Sequence, residues 1–118
     1  MKIFIVDWQV YPFSVIVALG VTKDEVIRYA QRYLTPVDVR YIERQSFDSG
    51  KTVFSVKDLT ILWLEKYPER GSPILAHEIF HAVTFLMEEI GMPLNRENNE
   101  AYAYAVEFLT KEINKQIK

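Results

Sequence analysis

The stretch from Ser72 to Pro93 constrains this chain more than any other. Ser72 is a good helix N-cap, and Pro73 suits the first helical position, where its missing N–H does no harm. Gly91 supplies a C-terminal stop with Pro93 just beyond, so the spacing predicts a helix running to Ile90. Ile74-Leu75-Ala76, Ala82-Val83 and Phe85-Leu86-Met87 make it apolar nearly all round, which predicts a buried helix. Into this helix the sequence sets His77-Glu78-Ile79-Phe80-His81, and the chain has no other histidines. Ionisable groups on a buried helix cost several kcal/mol unless something pairs with them. A metal ion would do that.

Residues i and i+4 of a helix lie about one turn apart on one face, so both imidazoles can bind a single tetrahedral Zn²⁺. Glu78, beside the first histidine, can reach water at the metal without filling a coordination position, and can act as a general base. A chance match to this pattern in so short a chain is on the order of one in a few hundred. Hydrolytic zinc usually keeps three protein ligands and leaves the fourth position for water. With no cysteine and no third histidine, the remaining ligand must be a carboxylate, or failing that an amide or tyrosine oxygen. Asn98-Asn99-Glu100-Ala101-Tyr102-Ala103-Tyr104 offers Glu100, on the next predicted helix.

The rest of the chain reads as a scaffold. Residues 2–8 and 13–19 are rich in Ile, Val, Phe and Trp and predict a two-stranded hairpin. Gly20 ends the second strand. Thr22 then caps a helix over 23–34, with Glu25 in capping-box position and Val26, Tyr29, Ala30 and Tyr33 on one face. Pro36 stops it. Val37, Val39 and Tyr41 alternate with Asp38 and Arg40, predicting a third strand, and Phe47-Asp48-Ser49-Gly50 predicts a turn. Thr52–Val56 and Leu59–Leu64 predict a second hairpin closed by Lys57-Asp58. A last helix should start between Asn95 and Asn99 and run towards Ile117, packing through Tyr102, Val106, Leu109 and Ile113. The expected fold is α+β: a small, mostly antiparallel sheet, a helix in the N-terminal half, and a C-terminal helix pair carrying the metal site.

At 118 residues the chain predicts one domain, 1–118. Fourteen basic against 16 acidic side chains give a formal charge of −2, which makes no electrostatic case for a nucleic-acid partner. Asp7, Gln9 and Pro12 interrupt the apolar N-terminus, so it does not read as a secretory signal. No window approaches the roughly 18 to 20 apolar residues that span a bilayer. A cytoplasmic protein with no membrane partner is expected.

His77–His81, followed some twenty residues later by an Asn-Glu pair opening the next helix, resembles the thermolysin-like zincins, the gluzincins. Residues 60–113 look closer still to small zincin-like proteins encoded in phages and prophages. The resemblance implies a minimal zincin, with His77, His81 and Glu100 as zinc ligands and Glu78 as the base. It implies a small zinc metallopeptidase acting on a peptide or protein substrate. Leu59–Leu64 corresponds by position to the strand that edges a zincin cleft, where an extended peptide can add as another strand. Tyr104 falls where a donor to the tetrahedral oxyanion is wanted, with Arg70 and Tyr67 as weaker candidates. The third ligand stays open on geometry: at about 1.5 Å per residue, a straight antiparallel return puts Glu107 nearer the histidines than Glu100, with Glu97 a further candidate. The competing expectation is a catalytically silent, metal-stabilised phage or prophage accessory or binding protein. Glu78 favours catalysis, since a purely structural zinc does not need it.

Overall fold

A computed structural model describes residues 2–9, 11–44, 51–56 and 58–117. In chain order the elements are β1 (Lys2–Asp7), β2 (Ser14–Leu19), α1 (Lys23–Ala30), α2 (Pro36–Glu43), β3 (Lys51–Val56), β4 (Leu59–Leu64), α3 (Pro73–Glu89) and α4 (Asn99–Asn114). The four strands form one sheet in the order β1-β2-β4-β3. Both hairpins are antiparallel, and the central β2–β4 pair is parallel, with Ile16 opposite Ile61. The expected mostly antiparallel α+β sheet and C-terminal helix pair are therefore present.

β2 and β4 are almost continuous apolar runs because both are covered on both faces. Side chains alternate along each strand, so each strand divides its residues between two cores. Val15, Val17 and Leu19 of β2 join Leu62 and Leu64 of β4 beneath α3 and α4. Ile16 and Ala18 join Ile61 and Trp63 on the opposite face, beneath α1 and α2. Trp63 buries its ring there and donates its Nε1–H to the Val21 carbonyl at 2.8 Å. At the end of β2, Gly20 donates to the Leu64 carbonyl at 2.8 Å and has φ +69°. A Cβ at Gly20 would lie 3.0 Å from the Tyr67 Cβ, so glycine is required both for the backbone angle and for the space.

The segment from Pro36 is a correction. It forms helix α2, not a strand. Thr35 is extended and its hydroxyl accepts from the Asp38 N–H, while Pro36 takes the first turn. The alternation of Val37, Val39 and Tyr41 misleads because the side chains that turn inward are Val39 and Ile42, three apart, leaving Val37 and Tyr41 exposed. The preceding helix is also shorter than expected: α1 ends at Ala30, and the chain must leave the helix to place Thr35 as the next cap. The expected capping box is present, with Thr22 and Glu25 bonded reciprocally. The expected turn at 47–50 and Lys57 of the second hairpin turn lie outside the described residues. No described helix is long and apolar enough to cross a membrane.

Candidate metal centre

The ends of α3 are set by local chemistry. The Ser72 hydroxyl accepts from the Leu75 N–H at 3.3 Å, and Pro73 opens the helix. At the other end Gly91, with φ +73°, donates to the Glu88 carbonyl at 3.1 Å, and Met92 to the Met87 carbonyl at 2.9 Å. This pair of bonds is the Schellman arrangement that a left-handed glycine permits. Between these ends Leu75, Glu78, Ile79, Ala82, Val83, Leu86 and Met87 are buried. The helix is thus not buried all round, contrary to expectation. It forms an outer layer, with one face against the sheet and α4 and the other facing outward.

That outward face carries the histidines. His77 and His81 are exposed, whereas Glu78 is only 5% exposed. The expected desolvation of three buried ionisable groups therefore does not hold for the two histidines. The imidazole rings meet edge to face, with centroids 4.8 Å apart and planes at 73°. Their Nε2 atoms are 3.1 Å apart. One ligand atom from each of His77, Glu78 and His81 lies within 4.8 Å of the others. Two nitrogens held about 2.0–2.1 Å from a tetrahedral ion would stand roughly 3.3 Å apart, so this spacing suits two ligands of one metal. The two imidazoles, with a carboxylate beside them in a chain without thiols, make a cluster that could hold a metal ion.

Other expected site residues lie elsewhere. Glu100 is exposed in the first turn of α4, outside the His77–Glu78–His81 group, where a negative charge complements the helix dipole. Tyr104 is 66% exposed and lines a groove with Trp8, Tyr11 and Phe108 that none of the three clustered residues enters. Glu97 is exposed in the loop before α4, where its N–H donates to Asn95 Oδ1 at 2.9 Å. Arg70 donates to the Ile117 carbonyl at 2.8 Å and Tyr67 to that of Gln116 at 3.5 Å, so both side chains tie down the C-terminal segment. β4 has no free edge, because β2 and β3 pair with it on either side. It therefore cannot accept a peptide as an added strand, and the edges of the sheet are β1 and β3.

One feature beside the histidines was not read from the sequence. An apolar groove of about 710 Å³ runs between α3 and α4, lined by Phe80, Leu94, Tyr102, Val106 and Glu107 among others. Phe80, between the two histidines in sequence, is 42% exposed, and Leu94 is 55% exposed. Apolar side chains on the histidine face of α3, Ile74 and Phe80, were the available signal: a helix apolar all round can also be one with an uncovered apolar face. Compared with family models, with curated proteins and with solved structures, the chain matches none.

Proposed function

We propose that the protein is a small zinc-dependent hydrolase acting on a peptide bond. The observation that carries this reading is the convergence of two exposed imidazoles on one buried carboxylate within a single helical turn. A structural role for the histidines alone would not require Glu78 beside them. His77 and His81 would hold the ion through Nε2. We assign the third protein ligand to Glu100, with Glu107 as its competitor, because Glu107 lines the groove that Phe80 shares. The chemistry zinc supplies when bound is Lewis acidity, which polarises a carbonyl and lets water lose a proton near neutral pH. Glu78 accepts that proton as the water oxygen bonds to the carbonyl carbon, and returns it to the departing amine nitrogen.

The test is Glu78→Gln, nearly isosteric and unable to take a proton at neutral pH. It should retain zinc and fold while lowering cleavage of a peptide substrate by about 10²–10⁴-fold. Wild-type cleavage by Glu78→Gln would overturn the mechanism. Glu100→Ala should weaken zinc binding far more than Glu107→Ala, and the reverse order would move the third ligand to Glu107. One observation favours a second reading, a metal-stabilised binding protein: both histidines are exposed and Glu100 stands outside their group. Stoichiometric zinc with no turnover across a broad peptide screen would select it.

A further inference from the structure

The outward face of α3 has a composition that hydrolysis alone does not explain. Over its first half the exposed side chains are Pro73, Ile74, Ala76, His77, Phe80 and His81. None of them is Asp, Glu, Lys or Arg, although those residues make up 25% of the chain. Ile74 stands one turn before His77 and Phe80 one turn after it, so exposed apolar side chains flank the imidazoles. Such a face is commonly covered in use. The donor count points the same way. The two Nε2 atoms lie 3.1 Å apart on exposed side chains, while Glu78 is buried and Glu100 stands outside the group. A tetrahedral ion held by two imidazoles has two further positions to fill. Within one chain no third histidine and no cysteine exists to fill them.

We propose that a second copy of this chain fills them. Two molecules meet through this face of α3 and share one zinc ion between four imidazoles, His77 and His81 of each. A two-fold axis through the ion makes the copies equivalent, and two equivalent pairs of nitrogens can occupy the corners of a tetrahedron. In such a contact a residue near the axis faces its own copy, so a charged side chain there would meet its like. The first half of this face carries none. A second copy is favoured over a foreign partner because the missing donors are what this chain itself presents: two imidazoles one turn apart on an uncharged apolar face. Ile74 and Phe80 are then covered by the same contact. Sharing the ion rests on the zinc-binding part of the proposed function and not on hydrolysis. It adds regulation to that reading, because four nitrogens leave no position for water, and cleavage then belongs to the form with one ion per chain.

Sedimentation velocity of the full chain, freed of metal and then titrated with zinc sulfate, tests the proposal. The metal-free chain should sediment as a monomer. Dimer should peak near one zinc for every two chains and decline once zinc exceeds one per chain. X-ray absorption of the dimer should count four nitrogens about 2.0–2.1 Å from zinc. His81→Ala, at an exposed position, should unfold like the metal-free parent yet lose the zinc-dependent dimer. A monomer that binds one zinc per chain at every ratio would overturn the shared site and leave the zinc-binding reading standing. No zinc uptake at all would end both. A dimer that forms without zinc, carries one zinc per chain or survives His81→Ala would also defeat the proposal, as would two nitrogens in place of four.

Discussion

The two faces of the sheet carry helices of different length. On one face α1 and α2 have eight residues each, and each is opened by a threonine whose hydroxyl accepts from a backbone N–H of the first turn. On the other, α3 and α4 have 17 and 16 residues; Ser72 caps α3 in the same way, while Asn98 makes no cap bond at the start of α4. Short helices are marginal by themselves, so local hydrogen bonds matter to α1 and α2. Long helices gain more from packing, and α4 buries Tyr102, Ala105, Leu109 and Ile113. The difference determines where chemistry can be placed. On the short helices the polar side chains of Thr22, Glu25, Thr35 and Asp38 are engaged by the caps. On α3 the polar side chains of His77, Glu78 and His81 stand in mid-helix, where no backbone group needs them. They are available to a ligand.

The largest effect should come from removing packing on the long-helix face. Leu109 is fully buried, and Leu109→Ala should cost about 3–4 kcal/mol through lost contacts and the cavity left behind. Chemical denaturation measures this. A loss below about 1 kcal/mol would mean that α4 is not held by its apolar stripe.

Zinc should give the next largest effect and should act through that face alone. A ligand present at about 100 times its dissociation constant stabilises the native state by roughly 2.7 kcal/mol. Thermal unfolding with and without zinc should show this gain in the parent, and its loss in His77→Ala and His81→Ala. Without metal the same two substitutions should change stability by less than about 0.5 kcal/mol, because both side chains are exposed. Stabilisation by zinc that survives both alanines would place the metal elsewhere.

The caps come third. Thr22→Ala and Thr35→Ala should each cost about 1 kcal/mol, with Thr22 the larger because its box is reciprocal. Equal losses from alanine at Asn98, which makes no cap bond, would erase the distinction between α4 and the capped helices.

How much of this was legible depended on whether the signal was local. Ser72-Pro73, Gly91, and Thr22 with Glu25 fix helix ends through bonds spanning a few residues, and the structure has those bonds. Thr35-Pro36 carries the same kind of start signal, against the strand pattern of Val37, Val39 and Tyr41. The cap was the stronger clue, since it specifies a hydrogen bond while alternation specifies only polarity. The His77–Glu78–His81 cluster was legible because one helical turn suffices to bring it together. Exposure was not. Whether His77 faces outward, whether β4 is central, and which way Tyr104 points depend on what packs beside each element. That is decided by residues far away in sequence. The choice between Glu100 and Glu107 is of the same kind, because a spacing along the chain does not give the angle at which two helices cross.

The smallest expected effect is also the most selective. The Glu25 carboxylate accepts from the Thr22 N–H and from its hydroxyl, both at 3.1 Å, and the Thr22 bonds, the backbone one foremost, hold its pKa below the ordinary value of 4.5. Because the folded value is depressed, unfolded chains take up the proton first as pH falls. The contribution of Glu25 is therefore complete above 4.5 and is lost as pH drops from there through the folded value. Thr22→Ala removes the hydroxyl but keeps the backbone N–H, so Glu25 should titrate only part of the way back towards 4.5. Arg28→Gln should move it less, since the Arg28 charge is the weakest of the four influences. Carbon NMR of the Glu25 carboxyl reads each shift. If Arg28→Gln moved it more than Thr22→Ala, the depression would come from charge, and the first turn of α1 would owe its stability to something other than its cap.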